Sequence, residues 1–353
     1  MVRAPLLVLL SAVAILLPCG LPAQARDTAS SPLSPFRSLA LPAPNQQRTG
    51  SGRPGSGYWQ QRADYRISAT LDTASRAIRG QETIHYTNNS PDVLRYLWLH
   101  LEQNICAPNS VTNQLDQPPL VFLGSTFDFS CKGFRGGITL EATAVNGRAV
   151  RPVISGTTMR LDLPRPLGPG RTADLQIRWH FPVPDYGAGR MGRDGSLYEI
   201  AQWYPRVAVY DDVRGWNHEP YIGAGEFYLE YGSFDVSLTV PGNMLVAATG
   251  TLQNPAQVLT PTQRSRLARA RSSDSTVVIR SKDEVSDPAS RPVSSSGTLT
   301  WRFTADSVRD FAWAAARHFV WDAARANGGK TLAMSFYPPS AEPVWNQSTQ
   351  YIR

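Results

Sequence analysis

Tyr65-Arg-Ile-Ser-Ala-Thr-Leu-Asp72, followed by Gly80-Gln-Glu-Thr-Ile-His-Tyr-Thr-Asn-Asn-Ser90, decides the fold class. In the first stretch Tyr65, Ile67, Ala69 and Leu71 alternate with polar neighbours. Period-two alternation is the signature of a half-buried strand. In the second, Glu82, Ile84, Tyr86 and Asn88 share one face, and Thr83, His85 and Thr87 share the other. Leu94 to Leu101 is apolar almost throughout and predicts a central strand with apolar neighbours on both sides.

The same pattern continues downstream. Ile138 to Val145, Asn146-Gly147 and Val150 to Ile154 predict a hairpin, because Asn-Gly suits the positive φ of a type I′ turn. Met159 to Leu163, Ala173 to Phe181, Thr298 to Phe303 and Thr331 to Tyr337 read as further strands. Phe234 to Val240 and Met244 to Thr249 are expected to pair around Pro241-Gly242. Phe311, Trp313, Phe319 and Trp321 occupy odd positions, which favours strand over helix. Strands separated by turn signals every ten or so residues predict a mainly β chain, an antiparallel β-saddle or sandwich. The polar stretch Gln257 to Ser296, with Arg264, Arg266, Arg269 and Arg271, reads as a solvated insertion loop.

The 353 residues are 42% hydrophobic and 18% charged, enough to bury a large core and too apolar for a disordered chain. The formal net charge is +7, yet Lys occurs only at Lys132, Lys282 and Lys330. The arginines are scattered among acids rather than gathered in a stripe, so no nucleic-acid partner is expected.

The amino terminus carries an address. Arg3, the apolar run Leu6 to Leu17 and Ala23-Gln-Ala25 follow the order of a secretory signal peptide, residues 1–25. The apolar run is shorter than the roughly 20 residues that span a bilayer. The mature chain is therefore expected to be exported, periplasmic or extracellular, without a transmembrane span. Residues 26–57 are rich in Ser, Pro, Gln and Gly and read as a flexible tether. In an oxidising compartment, Cys106 and Cys131 are expected to form a disulfide that stabilises by roughly 3 kcal/mol.

The search for catalytic chemistry finds little. None of His85, His100, His180, His218 and His318 has a histidine four positions away. His218-Glu219 begins like a zinc helix, but Pro220 would break that helix and Ile222 stands where the second histidine belongs. No nucleophile elbow and no phosphate loop is present. The pairs Asp211-Asp212 and Glu226/Glu230 fit solvated turn and strand positions better than a cation site. No catalytic and no metal-ligating residue is assigned. Glu199 to Gly250 is the densest stretch, a long aromatic loop held by Gly and Pro, and such loops are usually functional or interfacial.

Several of these stretches carry a resemblance. They are Gln202-Trp-Tyr-Pro-Arg206, Tyr210-Asp211, Glu226-Phe-Tyr228, Phe234-Asp-Val-Ser-Leu-Thr-Val-Pro241, Ala247-Ala-Thr-Gly250 and Asp310-Phe-Ala-Trp313. Together with the two opening stretches, they resemble the N-terminal β-saddle domain of the membrane-alanyl aminopeptidase and leukotriene-hydrolase family of zinc metallopeptidases. The resemblance runs from about Tyr58 to Tyr337 and is diffuse. It implies a saddle over residues 58–327 and, over 328–353, the start of a truncated catalytic domain. It also implies peptide substrates, the missing catalytic domain as partner, and Zn in the full-length protein with no cofactor on this chain. The family's H-E-x-x-H and G-x-M-E-N motifs do not occur here. By position Gln202 matches the residue that binds the free amine of the substrate, although the Ala-Arg and Cys-x-Asp-x-Pro stretches around it are lacking. The resemblance further implies that the loop from Gln202 to Trp216 faces the missing domain, leaving Trp203, Tyr204 and Trp216 as an exposed apolar patch. The competing reading is a stand-alone exported β-sandwich that binds partners without catalysis.

Overall fold

In the computed structural model, the strand Arg62–Asp72 buries Tyr65, Ile67, Ala69 and Leu71 and turns Arg66, Ser68 and Thr70 outward, as the alternation requires. The structure describes residues 43–114, 120–122, 125–127, 131, 133–185, 190–223 and 227–353. The signal peptide and the first part of the tether lie outside these residues, as does Glu226. Residues 43–58 belong to one unit and 59–353 to another. Within the first, Arg48 and Pro54 form an isolated bridge and Gly55 N donates to Gln47 O.

The second unit is mainly β. Its largest sheet has eight strands, in the order Thr251–Leu252, Thr298–Val308, Gly232–Pro241, Arg62–Asp72, Ala77–Thr87, Thr172–Pro182, Thr139–Val145 and Arg148–Ala149. Every pairing in it is antiparallel except one: Gly232–Pro241 runs parallel to Arg62–Asp72. A second sheet sets Leu94–His100 between Arg206–Val207 and Thr158–Leu167, the central position its apolar run requires. A third joins Met191–Asp194, Leu197–Ile200, Trp313–Ala316 and Leu245–Ala248. A fourth joins Val277–Arg280, Val320–Ala326 and Thr331–Tyr337. No helix among the described residues is long and apolar enough to cross a membrane.

The inner faces of these sheets meet in one apolar core. Gly80 is needed there because the Trp179 ring lies over it; a Cβ would sit 2.4 Å from that ring. Trp179 in turn meets Trp203 edge-on at 5.7 Å. Glu82 follows on the same face, 3% exposed, and neither carboxyl oxygen has a hydrogen-bond partner among the described residues. Burial holds its pKa well above the usual carboxylate range, so it is a neutral acid in the core.

Three local expectations are corrected. Gly232–Pro241 and Leu245–Ala248 do not form a hairpin: the first is already flanked by strands on both edges, and the chain turns at Pro241 to enter another sheet. The arm after Asn146-Gly147 ends at Ala149, and Val153–Ser155 pairs instead with Thr158–Leu167. Gln257 to Ser296 is not a solvated loop. It holds the helix Pro261–Ala270, started by a capping box in which Thr260 and Gln263 bond each other's backbone, and the strand Val277–Arg280. Arg280 is fully buried and donates to the carbonyls of Val285, Arg317 and Phe319. Desolvation lowers its pKa to about 10.

Candidate functional site

The loop after Ile200 begins with a backbone anomaly. Gln202 has φ +50°, a left-handed conformation uncommon for a residue with a side chain. It is held there from both directions. Gln103 Nε2 donates to the Gln202 carbonyl at 2.6 Å, and the next residue, Trp203, is locked in the core by its Nε1 bond to Phe311 O at 2.8 Å. The Gln202 side-chain oxygen has no hydrogen-bond partner among the described residues. Such a residue stays strained only where its surroundings over-determine it, and such positions cluster at ligand sites.

Beneath the loop lies a buried ion network. The Arg206 side chain is 5% exposed and that of Glu102 1%. Arg206 donates to Glu102 through Nε at 3.1 Å and through Nη2, and to Asp310 through Nη1 at 2.6 Å. Tyr204 donates to the other Asp310 oxygen at 2.8 Å, and the Tyr65 hydroxyl accepts from Val207 N at 3.0 Å. Burial by itself would lower the pKa of Arg206, but Glu102 and Asp310 outweigh it and hold the guanidinium above its ordinary value. Burial, then Asp310, raises that of the Tyr204 phenol. His100 pairs with Arg206 across the strands, is fully buried and stacks on Phe227 at 4.4 Å. Burial lowers its pKa, which keeps the imidazole neutral.

The segment that supplies Glu102 and Gln103 is fixed at its far end by a disulfide. Cys106 and Cys131 have Cα atoms 5.5 Å apart and are bonded. Ile105, Cys106, Cys131 and Tyr221 form a small buried cluster with Phe134 and Phe227 against it. The bridge thus ties the Glu102–Cys106 turn to Cys131, and Tyr221 packs against the pair. Reduction of the folded mature protein is expected to lower its stability by roughly 3 kcal/mol through loop entropy. Thiol labelling of the unreduced mature protein should find no free cysteine. Two reactive thiols in it would contradict the pairing.

The aromatic loop is not the open patch that the resemblance implies. Trp203 and Tyr204 are 0% and 2% exposed and belong to the core. Trp216 is half-buried, tilted against Tyr210 at 5.1 Å in the short hairpin Tyr210–Asp211 and Gly215–Trp216. In the interior Trp203 packs edge-on against Trp179 at 5.7 Å and Trp313 at 5.9 Å. Asp211 takes hydrogen bonds from Val213 N, Arg214 N, Asn217 Nδ2 and the Tyr228 hydroxyl. It is a turn former, as expected. Glu230 is 6% exposed, and burial pushes its pKa up to about 8.

The donor set does not fit a zinc ion. Among the described residues no three His, Cys, Asp or Glu side chains converge. His85 Nδ1 lies 2.7 Å from Asp174, and His180 Nδ1 lies 2.9 Å from Glu141, which also takes Arg79 at 3.4 Å. His218 stacks on Trp98 and His318 stands in solvent. No step through a metal is derived from these residues.

Sequence reasoning finds Gln202, and touches Asp310 only within a resembling stretch, but does not find Glu102 or Gln103. Both carboxylates are 104 positions from Arg206, and no local pattern pairs either of them with it. The usable signal is weaker: a polar pair, Glu102-Gln103, directly after the apolar run from Leu94 to Leu101.

No protein-family model matches the chain, and no curated protein matches it. Solved structures do. An M1 zinc metallopeptidase from Deinococcus radiodurans aligns with TM-score 0.42 and 15% identity over 81% of this chain and 49% of its own. A mutant M1 zinc metallopeptidase from the same organism, bound to a Tyr-Ser-Ala substrate, gives 0.44 and 14% over 79% and 48%. A two-domain M1 zinc metallopeptidase mutant bound to L-tryptophan gives 0.44 and 14% over 83% and 51%. The chain spans about half the length of these solved chains.

Proposed function

We propose that this chain is the exported, substrate-contacting β domain of a zinc metallopeptidase of aminopeptidase type. In this reading Gln202 accepts a hydrogen bond from the free amino group of a peptide, and zinc is held by a catalytic domain outside these 353 residues. The observation that carries it is the geometry of Gln202: strained backbone, carbonyl clamped by Gln103, and a side-chain oxygen left without a partner. An amide oxygen is a suitable acceptor for an ammonium group. Arg206, Glu102 and Asp310 would then serve as positioning residues that keep the loop in register. The stretches around Gln202 and Phe234 that resemble the metallopeptidase family support the same reading.

One observation favours the second reading, a stand-alone binding module. Trp203 and Tyr204 are covered by the domain's own core rather than left for a neighbour. Calorimetric titration of the mature chain with a tripeptide and with its N-acetyl form tests the role of Gln202. The free amine is expected to bind, with Gln202→Ala weakening it roughly tenfold or more, the worth of a hydrogen bond to a charged group. Equal binding of both peptides would remove Gln202 from amine recognition. Metal analysis tests the division of labour. The purified chain is expected to hold no stoichiometric zinc and to leave amino-acid amides intact. One tightly held zinc per chain with amidase activity would overturn that division.

A further inference from the structure

A partly open pocket of about 280 Å³ lies where the strand Leu245–Ala248, the strand Thr298–Val308, the helix Pro261–Ala270 and the sheet of Val320–Ala326 and Thr331–Tyr337 come together. Its walls are apolar: Leu252, Trp301, Phe303, Trp321, Met334 and Phe336. At 30 Å³ per water molecule this is room for about nine waters, the size of a small ligand rather than a packing flaw. Trp321 and Phe336 are stacked at 4.9 Å, so one wall is a rigid aromatic surface.

Charge is met at the edge of this lining, where Arg271 and Lys330 stand. Trp301 and Trp321 are 1% and 3% exposed, and neither indole N–H has an acceptor among the described residues. Buried indole N–H groups usually find a partner. Among the described residues, the only charged side chains on the lining are Arg271, just after the helix, and Lys330, just before Thr331. Both are exposed, and neither forms a salt bridge among the described residues. An apolar pocket with two cations and no carboxylate at its edge, among the described residues, matches one ligand chemistry. The apolar body is taken from water by the aromatic walls, and the negative head is met by Arg271 and Lys330.

We propose that this pocket binds a small amphipathic carboxylate, an organic acid with an aliphatic or aromatic body. The site is independent of Gln202 and of the metallopeptidase reading.

Tryptophan emission reports on it directly, because Trp301 and Trp321 are part of the wall. Titration of the mature chain with octanoate is expected to give a saturable change in emission. The double variant Arg271→Gln/Lys330→Gln should weaken octanoate binding roughly tenfold or more. Both side chains are exposed, so its melting temperature should match that of the parent. Octanol, with the same tail and no charge, should bind more weakly than octanoate and be indifferent to the double variant. Ala247→Phe, which fills the pocket, should abolish the octanoate response. The proposal is overturned by a linear, unsaturable response of the parent chain. It is equally overturned by octanoate binding that survives loss of both cations, or by octanol binding as tightly as octanoate. If Ala247→Phe does not fold, the double variant and the octanol arm still decide.

Discussion

Arg206→Met is expected to cost the domain about 3–5 kcal/mol of stability, the usual consequence of removing one partner of a buried ion pair. Glu102 would be left with a side chain 1% exposed and no cation to face. Asp310, with 38% of its side chain exposed, can recover water and contributes less to the loss. Urea denaturation followed by tryptophan fluorescence measures the effect. The double variant Arg206→Met/Glu102→Leu is the informative control. Replacing both members by apolar groups is often neutral or better, so the double variant should regain much of what the single loses. A double variant as unstable as the single would mean that the network does more than neutralise itself. If Gln202 acts on substrate through the loop this network holds, the double variant should still bind a free-amine peptide more weakly than the parent. Stability and binding would then separate.

Glu82→Met is expected to act in the opposite direction, raising stability at pH 7 by about 1–3 kcal/mol, the cost of a buried polar group left unsatisfied. Methionine keeps the unbranched shape and removes both oxygens. The pH dependence is the sharper test. The ordinary carboxyl pKa is 4.5, and burial raises that of Glu82 well above it. Above pH 4.5 the unfolded chain loses this proton while the folded chain keeps it. Stability contributed by the neutral acid is therefore complete below pH 4.5 and declines as pH rises towards the folded-state pKa. Glu230 adds a decline of the same sign between pH 4.5 and about 8. In the parent chain stability should fall across this window, and in Glu82→Met the fall should be shallower. A parent curve that is flat from pH 4.5 to 8, or a variant that is less stable throughout, would show that Glu82 is charged and paired in the native protein.

The sequence by itself determined the β character of this protein. Alternation along Tyr65 to Leu71 and Ile84 to Asn88 depends only on neighbours two positions apart, and a strand places those on one face whatever surrounds it. The apolar run Leu94–Leu101 requires apolar surroundings on both sides, and it lies between two strands for that reason. Tertiary structure decided which strands meet. Nothing local tells Gly232–Pro241 to run parallel beside Arg62–Asp72 rather than to fold back on Leu245–Ala248. Composition also misleads where a few residues carry the burial. In Pro261–Ala270 only Gln263, Leu267 and Ala270 are buried, so four nearby arginines make a packed helix look like a solvated loop. The capping box at Thr260 and Gln263 is the local mark of that helix. The burial of Arg280 has no local mark of its own, because two of the three carbonyls that satisfy it come from Arg317 and Phe319, far along the chain. The candidate site divides in the same way. Gln202 belongs to a stretch that reads as distinctive, but its strain and its clamp come from Gln103 and Phe311. Charge pairs and hydrogen bonds act over a few ångströms in space, and a chain carries no record of which distant residues folding will bring within that reach.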